Sequence, residues 1–81
     1  MLGELKKAKK KIGIKECCKA LENNKALHAF VAKDAEERVT KPFVEICGQK
    51  AVEITYVDTM SNLGKACGID VGATTVVMLK D

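Results

Sequence analysis

The segment ALHAFVA, residues 26–32, is apolar along nearly its whole length. A run of this kind is typical of a strand that is covered on both faces, as in a sheet between helices. VEITYV, residues 52–57, alternates in the manner of a strand, and TTVVML, residues 74–79, supplies a third. We therefore expect a central sheet near residues 27–32, 52–57 and 74–79.

Apolar residues at helical spacing separate these strands. After Gly13, the positions that repeat as i, i+3, i+4 and i+7 are Ile14, Cys17, Cys18 and Leu21. Asn23 and Asn24 are expected to end this helix, because asparagine tolerates the left-handed conformation.

The first twelve residues also show helical spacing. A short basic amphipathic helix is predicted from four apolar residues, Leu2, Leu5, Ala8 and Ile12. A short extra strand around Lys11 and Ile12 is the alternative for the end of this segment.

Two further helices are expected later in the chain. In the first, Thr40 is the predicted N-cap, Pro42 lies in the first turn and Gly48 ends the helix. In the second, Asp58 is the predicted cap and Gly68 closes the helix. Strands that alternate with helices of about ten residues predict an α/β fold. We expect a four-helix α-β-α sandwich with three or four strands.

Length and composition exclude several classes of protein. Eighty-one residues, 47% of them apolar and 31% charged, fit a single globular domain, residues 1–81. No apolar run approaches the roughly 18 residues that a membrane span needs. The N-terminal residues do not have the pattern of a signal peptide. We therefore expect a cytoplasmic domain that does not associate with a membrane.

The positive charge is concentrated at the N-terminal end. Residues 1–20 hold seven lysines against two glutamates, a net charge of +5. Residues 21–81 hold seven basic and nine acidic side chains, a net charge of −2. Such an asymmetry is expected of a surface that binds a polyanion, and a solvated helix face is the alternative.

An enzyme is hard to build from these residues. The one histidine, His28, lies in a predicted strand, the acidic residues form no recognisable pair, and no glycine-rich phosphate loop is present. The four cysteines (17, 18, 47 and 67) include no Cys-x-x-Cys pair, so we expect reduced, largely buried thiols rather than zinc ligands. The sequence thus predicts no catalytic residue, no metal site and no cofactor.

Two clusters suit a nucleic acid. The first, GIKECCKAL at residues 13–21, begins a helix whose free N–H groups and positive dipole end suit phosphate. Its carboxylate, Glu16, either accepts hydrogen bonds from a base edge or merely neutralises a neighbouring lysine. The second, LGKACGIDVGA at residues 63–73, carries Ile69 and Val71, which either tuck into the core or contact an unstacked base. Aromatic residues are too scarce for a stacking platform, so a nucleic acid, if bound, would be read as a folded shape by helix ends, lysines and loops.

The clusters at residues 13–21 and 63–73, in this order, resemble those of the kink-turn-binding ribosomal proteins, the "L-seven-Ae/L-thirty-e" family. The short bacterial ribosomal-protein-like members of this family are especially similar. The similarity covers nearly the whole chain and includes residues 31–35, 56–58 and 63–73. It implies a three-layer α-β-α sandwich with a central mixed sheet of about four strands. It also implies binding to kink-turn RNA, in which tandem sheared G·A pairs bend the helix and open a groove that A-form RNA keeps narrow.

The resemblance implies roles for individual residues as well. Lys15 and Glu16 meet the guanines of the G·A pairs, Lys19 meets a phosphate or a base edge, and the loop at residues 69–71 packs over unstacked nucleotides. Lys15 departs from the asparagine of many archaeal and eukaryotic members, and Asp70 departs from a common glutamate. The implied RNA-binding residues are Gly13, Ile14, Lys15, Glu16, Lys19, Lys33, Lys65, Ile69, Asp70, Val71 and Gly72.

The leading hypothesis is therefore a monomeric, non-catalytic protein that binds kink-turns in ribosomal or other structured RNA. It would stabilise the kinked conformer by binding it preferentially. The alternatives are a protein–protein adaptor within a ribonucleoprotein, without tight RNA contact, and a thiol redox protein.

Overall fold

Four strands form one mixed sheet in the computed structural model, which describes residues 2–80. The elements are β1 (Lys10–Ile12), α1 (Ile14–Glu22), β2 (Ala26–Ala32), α2 (Glu37–Gln49), β3 (Ile54–Val57), α3 (Met60–Cys67) and β4 (Thr75–Leu79). The strands lie in the order β1-β4-β2-β3, with β2 parallel to β3 and β4 antiparallel to both of its neighbours. The predicted α/β fold with about four strands is confirmed.

Helices cover both faces of the sheet. Alternate residues of β2 point to opposite faces, so this strand contributes to the core on each side. Ala29 and Val31 pack in one core cluster with residues of α1 and α2, whereas Phe30 and Ala32 pack in a second cluster with residues of α3. Leu5, which is fully buried, belongs to the second cluster. The arrangement is the expected three-layer sandwich, and its apolar β2 is the strand that both layers cover.

The helix expected over residues 2–12 is wrong. A short 3-10 turn occupies Leu2–Glu4, and β1 then pairs with β4, with Lys10 opposite Met78 and Ile12 opposite Val76. The extra strand around Lys11 and Ile12 is confirmed. Pairing between β1 and β4 satisfies N–H and C=O groups along the edge of β4, which would face solvent if residues 2–12 formed a separate helix. The described residues therefore contain three α-helices rather than four.

The start of α2 also differs from the prediction. The N–H groups of Val39 and Thr40 both donate to the carbonyl of Glu36, at 3.0 and 3.1 Å, so the first helical turn precedes Thr40. Pro42 consequently lies inside the helix, where it has no N–H to donate to the preceding turn. The helix also continues one residue past Gly48.

The cap of α3 is Thr59 rather than Asp58. The Thr59 hydroxyl accepts a hydrogen bond from the N–H of Asn62 at 3.0 Å, and the Asp34 carboxylate accepts one from the N–H of Met60 at 2.8 Å. Two side chains thus satisfy the first-turn donors of α3. Gly68 closes the helix in the left-handed conformation, as predicted.

The remaining boundaries lie close to those expected. Asn23 is the C-cap of α1 and Asn24 has a positive φ of 57°, which confirms the predicted terminators. β3 and β4 begin at Ile54 and Thr75, slightly later than the patterns indicated. Among residues 2–80, no helix combines the length and the apolarity that crossing a membrane requires.

Candidate nucleic-acid interface

The two sequence clusters meet at one end of the sheet. Because β4 runs antiparallel to β2, the start of β4 lies beside the end of β2, and the N–H of Ala32 donates to the carbonyl of Thr74 at 3.0 Å. The N–H of Gly13 donates to the carbonyl of Thr75, also at 3.0 Å. These bonds bring the start of α1 next to the loop that leads from α3 into β4.

The first turn of α1 faces solvent. Gly13 is its N-cap, with a φ of 98° that strongly favours glycine, and no side chain caps this turn. Lys15, Glu16 and Lys19 are exposed, whereas Cys17 on the opposite side of the helix is fully buried. The exposed face thus combines backbone donors, the positive end of the helix dipole, two ammonium groups and one carboxylate. This combination suits a surface with both phosphates and polar base edges.

The loop at residues 69–72 is held along α3 by backbone contacts. The N–H of Ile69 donates to the carbonyl of Gly64 at 3.1 Å, and the N–H of Ala73 donates to the carbonyl of Met60 at 3.0 Å. The loop therefore returns from the C-terminal end of α3 towards its N-terminal end. Gly64 permits this approach, because a Cβ there would collide with the carbonyl of Val71.

The side chains of the loop have different environments. Ile69 is half-buried and packs against the core beneath α3, while Asp70 is exposed. Val71 is 69% exposed, an unusual position for a branched aliphatic side chain whose backbone is firmly held. Gly72 packs closely on Met60, since a Cβ at Gly72 would stand 3.1 Å from the Cβ of Met60. The residue pattern alone left open whether Val71 is buried, the family resemblance implied partial exposure, and the structure places this side chain at the surface.

Two more of the expected site residues lie at the margins of this end. Lys33 directly follows β2, and its ammonium group lies 3.4 Å from the carboxylate of Asp58. Lys65 lies on α3 and lines a groove together with Asn62 and Tyr56. Lys33 is thus at the sheet end that holds the site, whereas Lys65 faces the groove beside β3.

The sequence did not indicate how Lys6 is placed. The aliphatic stem of Lys6 packs over Gly68, where a Cβ would lie only 3.1 Å from it. The lysine-rich N-terminal segment therefore reaches the residue that precedes the candidate loop. Asp34, which holds the first turn of α3 through Met60, was equally unforeseen. Neither contact has a local signal, because each joins residues far apart in the chain.

The cysteines and the histidine lie outside the site. All four cysteines are free thiols, and burial raises the pKa of Cys17 to about 12 and that of Cys47 to about 11. Burial also raises the pKa of Cys18 and Cys67. Thiols in this state remain protonated and poorly nucleophilic near neutral pH.

His28 has the structural role expected of it. Its Nε2 is hydrogen-bonded to the hydroxyl of Thr55 at 2.7 Å, and its ring lies 5.1 Å from that of Phe30. Within residues 2–80, no three His, Cys, Asp or Glu side chains are grouped closely enough to hold a metal ion.

Comparison with known proteins identifies the family. The model of the ribosomal protein L7Ae/L30e/S12e/Gadd45 family matches residues 2–81. An RNA-binding protein of Caldanaerobacter subterraneus subsp. tengcongensis is 49% identical over 67 residues, which are 83% of this chain and 82% of the relative. Another RNA-binding protein, from Halalkalibacterium halodurans, is 51% identical over 69 residues, 85% of this chain and 84% of the relative.

Two more distant proteins are also similar, one in sequence and one in fold. The large ribosomal subunit protein eL8 of Halobacterium salinarum is 33% identical over 70 residues, 85% of this chain and 58% of that protein. The solved structure of a 15.5kD RNA binding protein from Giardia lamblia superposes with a TM-score of 0.89 at 24% identity, covering 99% of this chain and 71% of that one. At this identity the superposition shows a common fold. From the family match and the relatives together, the chain belongs to the ribosomal protein L7Ae/L30e/S12e/Gadd45 family.

Proposed function

We propose that this protein is a non-catalytic RNA-binding protein that recognises kink-turns in ribosomal or other structured RNA. The observation that carries the proposal is the meeting of two features at one end of the sheet. One is the exposed face of α1, with Lys15 and Glu16 in its first turn and Lys19 one turn further along, and the other is the firmly held loop that projects Val71. The relatives from Caldanaerobacter and Halalkalibacterium, named as RNA-binding proteins, support it.

The first turn of α1 fits the groove that a kink opens. A helix end can enter there, although the deep, narrow major groove of regular A-form RNA does not admit side chains in this way. Its backbone N–H groups and Lys19 neutralise phosphate charge, while Glu16 accepts hydrogen bonds from the N–H groups of a guanine edge. Lys15 adds donors that suit the O6 and N7 acceptors of guanine. The helix thus supplies both attraction to the backbone and discrimination between bases.

The loop supplies an apolar contact beside this helix. A kink leaves some nucleotides unstacked, and their exposed faces are apolar enough to pack against an aliphatic side chain. Val71 can cover such a face without first leaving the core, since it already projects into solvent. The backbone contacts with α3 hold it in place, so little conformational entropy is lost when RNA binds.

Binding of this kind acts on the shape of the RNA. A protein that binds the kinked conformer more tightly than the extended one shifts the RNA population towards the kinked conformer. The size of the shift is set by the difference between the two affinities. No chemical step is required, and the protonated thiols and the engaged His28 offer no activated nucleophile. We propose that the protein does this as a monomer in the cytoplasm, with the ribosome as one site of action.

A gel-shift titration tests the proposal. The protein is titrated against a kink-turn RNA and against a control RNA in which Watson–Crick pairs replace the tandem sheared G·A pairs. We expect tight binding to the first RNA and only weak, salt-sensitive binding to the second. Equal weak binding to both would overturn the proposal and would favour an adaptor role within a ribonucleoprotein.

A further inference from the structure

The free edge of the sheet at β3 carries an exposed aromatic ring. β3 is the last strand of the order β1-β4-β2-β3, so within residues 2–80 one side of it has no neighbouring strand. Tyr56 in this strand is 50% exposed, whereas Phe30 and Phe43 are fully buried. Tyr56 lines two grooves, one between β3 and α2 and the other between β3 and α3.

Lysines line both grooves. Lys33 and Lys41 lie in the groove on the α2 side, and Lys6 and Lys65 lie in the groove on the α3 side. The acidic side chains in the grooves are Glu37 and Asp58. Four ammonium groups thus face two carboxylates, and one of these carboxylates, Asp58, is in an exposed ion pair with Lys33. Such an ion pair is worth little in water and readily exchanges partners.

We propose that Tyr56, together with Lys6, Lys33, Lys41 and Lys65, forms a second RNA contact, the β3-edge surface, which binds an unpaired strand. A base stacks on the ring of Tyr56, and the lysines on either side bind the flanking phosphates. Proteins that hold single strands without sequence preference combine an aromatic platform with a basic groove in this way. The proposal rests on the proposed function only in taking RNA as the partner.

Tyr56 lies apart from the start of α1, and Lys33 and Lys65, which the family resemblance also implies as kink-turn contacts, lie at the margin between the two surfaces. α1 packs over β1 and β4, whereas Tyr56 lies on β3, two strands from β4 in the sheet. Neighbouring strands are about 4.8 Å apart, so the two strands lie roughly 10 Å from each other. Lys33, at the end of β2, lies between them. An unpaired strand that leaves a kink-turn bound at α1 can therefore pass Lys33 and reach Tyr56.

The charge of the surface favours a nucleic acid over another protein chain. A second copy of this protein would have to bring lysines against lysines across a twofold axis, which is unfavourable. A strand of RNA instead supplies phosphates to the lysines and a base to the ring. Addition of a peptide strand to the free edge of β3 is the competing outcome that the experiment must detect.

The fluorescence of Tyr56 provides the direct measurement. The chain has one tyrosine and no tryptophan, so its intrinsic emission reports on this ring alone. Three RNAs are compared: a blunt-ended kink-turn, the same kink-turn with a ten-nucleotide unpaired extension, and the extension by itself. We expect the extension, free or attached, to quench the emission, and the blunt kink-turn to leave it nearly unchanged.

Variants of Tyr56 measure the contribution of stacking. We expect the attached extension to tighten binding at least about fivefold, the lower end of the range for one base stacked on an aromatic ring. Tyr56→Leu should reduce this gain by about fivefold, leaving the salt-sensitive contribution of the lysines, and Tyr56→Phe should retain it. Thermal melts of both variants check that they remain folded. Equal affinity for the blunt and extended kink-turns, or unchanged emission with the free extension, would overturn the proposal.

The two proposals fail in different ways. In the Glu16→Gln variant, binding of the blunt kink-turn should weaken while quenching by the free extension persists. If kink-turn recognition were lost while the free extension still quenched the emission of Tyr56, the β3-edge surface would remain supported. If self-association that depends on Tyr56 appeared in sedimentation, without quenching by RNA, the edge would be assigned to a second copy and the inference would be wrong.

Discussion

The N–H of Gly13 and the carbonyl of Thr75 form a 3.0 Å hydrogen bond that joins the start of α1 to the start of β4. Ile12, directly before Gly13, pairs with Val76, directly after Thr75, so the bond continues a ladder of the sheet. Through this bond the start of α1 and the loop that leads into β4 are held next to each other. The two halves of the candidate site therefore form one continuous surface.

Replacement of Glu16 by glutamine separates base recognition from simple charge attraction. If α1 contributed only positive charge, removing a carboxylate would strengthen binding. If Glu16 accepts hydrogen bonds from a guanine edge, Glu16→Gln should weaken binding by about 1–3 kcal/mol, as for a good bidentate base contact. The measurement is a titration with kink-turn RNA and with RNA that lacks the sheared pairs, and the loss should be confined to the first. Tighter binding by the variant would show that the helix supplies charge alone.

Lys19→Ala should weaken binding and reduce its dependence on salt. A lysine that neutralises a phosphate releases counterions, so its removal should lower the slope of log K against log[salt] by about 1. Lys25→Ala is the matched control, because Lys25 lies beyond the C-terminal end of α1, just before β2. An unchanged slope for Lys19→Ala would indicate that Lys19 contacts a base edge or nothing in the RNA.

Val71→Ala should weaken RNA binding while leaving the stability of the free protein nearly unchanged. Val71 is 69% exposed, so the truncation removes little buried surface from the folded protein. Val76→Ala is the control, because Val76 is fully buried and its truncation should cost about 2 kcal/mol in transfer and cavity terms. Thermal melts of the two free variants distinguish the cases. A large loss of stability for Val71→Ala would mean that this side chain supports the fold.

Gly64→Ala should displace the loop that carries Val71. The added Cβ would collide with the Val71 carbonyl, a backbone atom that cannot rotate away, so we expect a loss of about 1–3 kcal/mol in the free energy of unfolding and weaker RNA binding. Gly48→Ala is the matched helical control, since its Cβ would meet nothing within 4 Å. It should stabilise the protein by up to about 1 kcal/mol. Urea unfolding measures both variants, and equal stabilisation by the two would contradict the close approach.

The buried thiols predict a loss of stability in alkali. Burial raises the pKa of Cys17 from 9.0 to about 12 and that of Cys47 from 9.0 to about 11. Between these values the folded protein keeps protons that the unfolded chain releases, so the free energy of unfolding falls as the pH rises above about 9. Urea midpoints between pH 8 and pH 10.5 should show this fall, with a shallower slope for Cys47→Ala.

The four cysteines should also react as free thiols. In denaturant without reductant, four thiols should titrate, and a smaller number would contradict the free state of the cysteines.

Local hydrophobic patterns predicted a helix or strand correctly where only one type of element fitted the pattern. The apolar run of β2 and the i, i+3, i+4, i+7 spacing of α1 predicted both elements, because the first fits a strand buried on both faces and the second fits a helix with one buried face. Residues 2–12 were ambiguous, since the spacing of Leu2, Leu5, Ala8 and Ile12 suits a helix although Ile12 belongs to a strand. The free edge of β4 resolved that ambiguity by offering hydrogen bonds to β1. Likewise, Thr40 has the character of an N-cap, but the preceding residues had already formed the first turn of α2.

The sequence by itself determined the α/β class and the exposed face of α1, because helical periodicity separates Lys15, Glu16 and Lys19 from the buried Cys17. Residue types also indicated two clusters suited to a nucleic acid, and the family resemblance specified RNA. Only the tertiary structure decided that these clusters meet, that Val71 projects into solvent while Ile69 is half-buried, and that Tyr56 lies between two lysine-lined grooves. These are consequences of strand order and of hydrogen bonds such as that between Gly13 and Thr75. Contacts between residues distant in the chain depend on the packing of the whole fold, and no local pattern records them.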